Sequence, residues 1–388
     1  MTVRRTWTSV AAAAAVTVAA GVLAAPALAA GPGGGQGGGD RHRATQRAME
    51  AALDADAPGV TVQVRDRHGD WDSAAGLGDL TRQRPRGSQD HYRIGSVTKT
   101  FVATVVLQLE AEGALDLDDT VGRWLPGVVE GHGHDGDRIT VRQLLNHTSG
   151  IYNVTADPWF QRRVFGEAFL AHRYDTWTPE QQVALAMRHE PDFAPGKGWK
   201  YSNTNYVIAA MIIEKVTGTP YAEQIKERVI EPLGLRGTSV PGVRPDLPKP
   251  SSRAYTRLSD EPGAKNHDVT RLNPSVAGAA GEMISDSADL NRFYSALLRG
   301  KLLPKKQLAE MKTTVPRDAN RPEGRYGLGI APFPTSCGTV VWGHDGGIHG
   351  SSSLAVATAD GRHALALNFN GPGGDAGAVV DAEFCGDR

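Results

Sequence analysis

Cysteine is nearly missing: the 388 residues hold only Cys337 and Cys385. Two cysteines cannot build a disulfide-dense scaffold or a thiolate metal cluster, and they allow a single pairing. No charge of one sign dominates either. Lys and Arg number 42 against 43 Asp and Glu, a net charge of -1. That removes the electrostatic argument for binding nucleic acid or an anionic membrane surface. Past residue 30 no apolar run is long enough to span a bilayer. Metal-ligand spacing is missing too. His132, His134, Asp135 and Asp137 sit among Gly131, Gly133 and Gly136, which reads as a solvated turn and not a zinc site. No metal and no cofactor are expected.

The first thirty residues carry an address. Arg4 and Arg5 precede an Ala-rich apolar stretch, Val10 to Ala25, and Ala27-Leu28-Ala29 supplies a small-residue cleavage site. This is the pattern of a secretory signal over 1–30. Thr6-Trp7 fits the twin-arginine route poorly, so the Sec route and a secreted, extracellular protein are expected. Residues 31–42 form a Gly-rich linker. Export permits a disulfide, and a Cys337–Cys385 bridge would tie the start of a strand to the last helix.

Residues 44–55 read as a helix. Val60, Val62 and Val64 alternate as a strand with one buried face, and Trp71 to Ala75 returns after the His68-Gly69-Asp70 turn. Thr140 and Thr178 begin helices, the second with Pro179 and Gln181 completing a start signal. Tyr206 to Val216 is helical and ends at Gly218. Residues 240–275 read as surface loop, and Ser285 caps a helix through Leu298. Tyr326 to Ile330, Thr339 to Trp342, Ser353 to Ala357 and His363 to Phe369 are short, apolar and glycine-bounded, which implies an antiparallel meander. Gly374 to Cys385 closes as a helix. The fold class is therefore α+β, an antiparallel sheet built from both chain ends and flanked by helices, with a mostly helical lobe inserted. The unit spans 43–388, with an α/β lobe of 43–109 and 286–388 and a helical lobe of 110–285.

One stretch organises the rest. Ile94-Gly95-Ser96-Val97-Thr98-Lys99 opens an apolar helical run. A helix starting near Ser96 sets Lys99 one turn on, on the same face, and its N-terminus offers unpaired N–H groups. Taken alone, Ser96 reads first as an N-cap. Two further polar groups fall where a cleft between sheet and helical lobe would need them. They are Tyr201-Ser202-Asn203 and His344-Asp345-Gly346-Gly347, for which a helix cap and an Asp-Gly turn are the plain alternatives.

With these pieces the chain resembles the serine β-lactamase and penicillin-binding superfamily, above all class C β-lactamases and secreted D-alanyl-D-alanine carboxypeptidases. The match rests on Ser96-x-x-Lys99, Tyr201-Ser202-Asn203 and His344-Asp345-Gly346 in place of a Lys-Thr-Gly box. Leu144-Leu145-Asn146-His147-Thr148-Ser149-Gly150, Pro232-Leu233-Gly234-Leu235 and Tyr326-Gly327-Leu328-Gly329 support it, in the family's order over roughly residues 44–387. The resemblance implies an acyl-enzyme on Ser96, with general-base work shared by Lys99 and Tyr201 and helped by His344. It implies an oxyanion hole from the N–H groups of Ser96 and Gly347, and substrate contacts from Asn203, Asp345 and Gly346.

The resemblance also has departures. The stretch Ile330 to Thr335 lacks the arginine with which the carboxypeptidases hold a substrate carboxylate, leaving Arg325 and Arg321 as the nearby cations. Asp345 and Gly347 replace expected threonines. The leading reading is a D-alanyl-D-alanine carboxypeptidase-like hydrolase of D-amino-acid peptides. An esterase or D-aminopeptidase/amidase on the same machinery is the alternative, and a penicillin- or cell-wall-peptide-binding module without turnover is the rival from another class. The expected ligands are a small peptide, amide, ester or β-lactam, and a monomer is expected.

Overall fold

The computed structural model describes residues 41–53, 57–166, 168–259, 264–318, 324–371 and 373–386. The signal reading of 1–30 and the linker as far as residue 40 lie outside the described residues. His42, the linker's last residue, is buried, stacked on Trp71 and hydrogen-bonded to Glu383.

Seven antiparallel strands make one sheet. They are β1 (Gly59–Asp66), β2 (Gly69–Asp79), β3 (Arg84–Pro85), β4 (Ala331–Pro334), β5 (Val340–Ile348), β6 (Ser351–Thr358) and β7 (Ala364–Phe369). Their order is β4-β5-β6-β7-β1-β2-β3, so the two ends of the chain meet where Val60 faces Phe369 and Arg65 faces Ala364. The β5 to β7 meander is the one the turn signals imply, while β4 lies just past the Tyr326 to Ile330 run read as its first strand. Five helices frame the sheet and the cleft: α1 (Arg43–Leu53), α2 (Thr98–Ala111), α3 (Asn203–Thr217), α4 (Ser287–Leu298) and α5 (Ala376–Cys385).

The central strands are buried on both faces, and residue size tells the faces apart. Leu354, Val356, Leu365, Leu367 and Phe369 join Val60, Val62 and Val64 in a core with Met49 of α1 and Val379 of α5. The alternate residues Ala355, Ala357, Ala364 and Ala366 turn the other way, toward Phe293 and Leu297 of α4. Alanines on that face let α4 pack close to the sheet, while branched side chains fill the wider space under the terminal helices. Beyond α4 lies α2, buried on all sides from Thr98 to Leu107. A helix apolar all round belongs at the centre of a domain. α3 packs beside it and ends on Gly218 in the left-handed conformation (φ 73°). Capping boxes at Thr140/Gln143 and Thr178/Gln181 start two further helices as the sequence implies.

Three local readings are corrected. Ser96 lies in a 3-10 turn, Gly95–Val97, and α2 proper begins at Thr98. α4 is capped by Asp286, whose carboxylate accepts the Asp289 N–H at 2.8 Å; Ser285 is in a short strand against Tyr92–Arg93. Tyr326 to Ile330 is not a strand of the main sheet. Arg325–Tyr326 pairs with Val315–Pro316, and the chain then turns under α2, where Gly329 accepts the Thr100 hydroxyl at 2.7 Å. Cys337 and Cys385 are bonded, with Cα atoms 5.7 Å apart. The bridge ties the turn before β5 to the end of α5.

Candidate active site

Where α2 begins, the turn Gly95–Val97 is pressed against β5. Gly95 has φ 52°, and a Cβ there would lie 2.7 Å from the Gly347 nitrogen. A Cβ on Gly346 would lie 2.0 Å from the Ile94 carbonyl oxygen. Only glycines permit this approach, and it sets the Gly347 backbone beside Ser96. Nothing lies within 4 Å of a Cβ built on Gly347, so that side is open.

Lys99 is 0% exposed. Its Nζ lies 3.0 Å from Ser96 Oγ, 2.8 Å from Asn203 Oδ1 and 2.6 Å from the Ala280 carbonyl. Among the described residues no carboxylate bonds it, and burial pushes its pKa well below that of an ordinary lysine, against a raising pull from Asp345. The proton count then has one solution for a neutral amine. Two N–H bonds go to the Asn203 and Ala280 oxygens, and the lone pair is left for the Ser96 hydroxyl. Tyr201 shares a hydrogen bond with Ser96 from the other side, and its ring centroid is 4.8 Å from Lys99 Nζ. Burial pushes the Tyr201 phenol far up, so it is a protonated hydroxyl at neutral pH.

The sheet wall looks different. Along β5, His344 and Gly346 are buried while Asp345 and Gly347 are exposed. His344 Nδ1 donates to the Asp345 carbonyl, and its Nε2 accepts the Tyr326 hydroxyl at 2.7 Å. Burial lowers the ring to about 4, although Asp345 pulls it the other way. His344 is therefore neutral with both nitrogens engaged, 6.4 Å ring to ring from Tyr201. It is near Tyr201 but bonded to Tyr326, which departs from the expected help to the base. The expected strand–turn alternative for this box also resolves: His344 to Gly347 lie within β5.

Asn203 departs from expectation as well. Its Oδ1 holds Lys99 and its Nδ2 donates to Thr155 Oγ1 at 3.1 Å, so both ends of the amide are engaged within the protein. Arg325 is bound to Thr314 through its hydroxyl and its carbonyl, both at 2.6 Å; Arg321 lies outside the described residues. The structure adds Ala280, Thr155 and Tyr326 to the residues expected from sequence. Of these, Tyr326 alone stands in one of the sequence motifs. A main-chain carbonyl such as that of Ala280 leaves no mark in a sequence beyond the small-residue run around it.

A family model described as Beta-lactamase matches residues 43–385. Among solved structures, a D-stereospecific amidohydrolase from Streptomyces sp. is 60% identical with a TM-score of 0.86, over 89% of this chain and 99% of that one. A D-amino acid amidase from Ochrobactrum anthropi SV3, complexed with D-phenylalanine, is 27% identical with a TM-score of 0.76, over 88% and 98% of the two chains. A penicillin-binding protein of Bacillus subtilis (strain 168) is 30% identical over 306 residues, 75% of this chain and 63% of that protein. The esterase EstB of Burkholderia gladioli is 34% identical over 192 residues, 48% of each. The chain thus spans about half to just under two thirds of the length of these two curated relatives.

Proposed function

The chain belongs to the Beta-lactamase family and is a serine hydrolase, and on that footing we propose that it is an exported amidohydrolase of D-aminoacyl amides and peptides, acting through an acyl-enzyme on Ser96. The amidase alternative takes precedence here over the carboxypeptidase reading. Likeness to the Streptomyces amidohydrolase, at 60% identity, supports this over the more distant penicillin-binding relative.

The observation that carries the reading is the state of the His344-Asp345-Gly346 box. His344 is uncharged and has no free nitrogen, and Asp345 is the exposed charge beside it. A free-acid peptide would bring its carboxylate toward a carboxylate. At an effective dielectric near 20 two like charges about 4 Å apart cost roughly 4 kcal/mol before screening. A neutral amide or an amine meets no such cost.

In this mechanism Lys99 Nζ takes the Ser96 proton as Oγ bonds to the substrate carbonyl carbon. The oxyanion is held by the N–H groups of Ser96 and Gly347. Tyr201, protonated, passes its proton to the leaving nitrogen and is resupplied from Lys99, and the C–N bond breaks. Water then attacks the ester and gives a proton to the same base, which returns it to Ser96 Oγ as the C–Oγ bond breaks and the D-amino acid leaves. Asn203 holds Lys99 in place rather than binding the substrate amide.

The test is hydrolysis of D- and L-aminoacyl p-nitroanilides, with intact-mass analysis of the quenched enzyme. The proposal expects turnover of the D substrate and an acyl adduct on a peptide containing Ser96. Equal rates on both enantiomers, or an adduct elsewhere, would contradict it.

A further inference from the structure

We infer that His147 is the positioning residue for Tyr201, an assignment that rests on the proton-transfer role proposed for that tyrosine. Among the described residues three non-glycines have positive φ: Gln83, His132 and His147. The first two are exposed; His147 (φ 63°) is 1% exposed. A costly conformation in a buried residue needs a reason in the surroundings.

The reason is a clamp. The His147 carbonyl accepts the N–H of Lys200 at 3.1 Å, and its ring Nδ1 accepts the N–H of Ser202 at 3.2 Å. The N–H groups of the two residues flanking Tyr201 therefore end on one residue. The His147 ring packs against the Tyr201 ring, centroids 4.3 Å apart. The left-handed backbone lets carbonyl and side chain face the same segment at once. Nδ1 also takes the Asn205 amide at 3.2 Å, and Ser149 fixes that amide's orientation by donating to Asn205 Oδ1 at 2.7 Å. The Asn-His-Thr-Ser-Gly stretch is thus a cradle for the segment that carries Tyr201.

The clamp requires an unprotonated Nδ1, so the proton sits on Nε2. Burial keeps the ring neutral, helped by the Arg317 guanidinium nearby. Nε2 is buried and has no hydrogen-bond partner among the described residues. An apolar ring would fill the same space without that orphan donor. What histidine adds over such a ring is the Nδ1 acceptor.

Two variants separate clamp from packing. His147→Phe keeps a ring and loses the acceptor. His147→Asn keeps an acceptor near Nδ1, tolerates positive φ, and loses the ring. On a D-aminoacyl p-nitroanilide we expect His147→Phe to lower kcat by at least about tenfold with little change in KM, and His147→Asn to retain more activity than His147→Phe. In a Tyr201→Phe background, both His147 changes should cost less than about twofold, because the effect travels through the tyrosine hydroxyl. His147→Phe matching wild type, or equal losses in both backgrounds, overturns the inference. Should His147→Phe not fold, His147→Gly takes its place against His147→Asn, with the same order expected. Hydrogen exchange of the Ser202 amide reads the clamp apart from catalysis. Faster exchange in His147→Phe than in His147→Asn supports it even if Tyr201→Phe alone proves harmless, and unchanged exchange overturns it.

Discussion

The two walls of the cleft handle charge in opposite ways. On the helical wall, Lys99 is buried with no carboxylate bonded to it among the described residues, its N–H groups directed to Asn203 and Ala280 and its lone pair to Ser96. On the sheet wall, His344 is buried with both nitrogens tied to the protein, and the ionisable group left facing outward is Asp345. Desolvation depresses both bases, but only Lys99 is left with a lone pair for a reacting atom. On the proposed mechanism the helical wall moves protons, and the sheet wall presents a backbone N–H and discriminates by charge. The same physical effect, burial of a base, gives chemistry in one place and inertness in the other because of what the neighbours leave unpaired.

Removing Ser96 breaks the helical wall outright. Ser96→Ala is expected to abolish acyl-adduct formation while the melting temperature stays near wild type; an adduct in that variant would contradict the assignment. Tyr201→Phe removes one hydroxyl and keeps the ring. General acid–base groups contribute typically about 10²–10⁴-fold, and a loss of that order in kcat is expected. A rate within about twofold of wild type would make Tyr201 a packing residue.

The helical wall is the legible one. The spacing of Ser96 and Lys99 on one helical turn can be read directly, as can the Thr178-Pro179-x-Gln181 start and the Val60, Val62, Val64 alternation. These are local patterns, and local physics sets them. What the sequence hides is long-range or main-chain. Ala280 contributes only a carbonyl. His344 is neutralised by burial and by Tyr326, 18 residues away. Asn203 reads as a substrate ligand because nothing local says that Thr155 and Lys99 occupy its amide. The second buried face of the sheet is written in the alternation Leu354-Ala355-Val356-Ala357 and Ala364-Leu365-Ala366-Leu367, where both sets are apolar and only size differs.

The sheet wall can be loosened without touching the helical one. Cys337 and Cys385, 48 residues apart, anchor the turn that leads into β5. Replacing both with serine is expected to lower stability by about 4 kcal/mol in the chain-entropy model, read by urea denaturation, with substrate preference unchanged. No change in the denaturation midpoint would show that the bridge adds nothing.

Acid acts on His344 itself. Its ring titrates near 4 in the folded protein against about 6.5 when unfolded. Above 6.5 both states are neutral. As pH falls from 6.5 to about 4 the unfolded chain takes up the proton first, so stability present above 6.5 is lost across that window, by up to about 3 kcal/mol for this ring. His349, also near 4 and stacked between Phe165 and Phe169, adds to the loss. Melting temperatures should fall steeply from pH 6.5 to 4, and less steeply in His344→Gln. A flat profile would mean the rings are not buried neutral.

The smallest expected effect is also the most selective. Asp345 is 54% exposed, so screening cuts its repulsion to about a third of the unscreened figure, about 1.4 kcal/mol or tenfold. Asp345→Thr should narrow the preference for amides over free acids by about that factor and leave the p-nitroanilide rate nearly unchanged.

The most direct measurement is the ratio of kcat/KM for D-alanine p-nitroanilide or D-alanine amide to that for D-alanyl-D-alanine, on the intact enzyme at neutral pH. A wall that presents Asp345 and a neutral His344 predicts that both substrates without a carboxylate are favoured by about tenfold or more. Equal values, or a preference for the free-acid dipeptide, would contradict the account and return the protein to a carboxypeptidase reading.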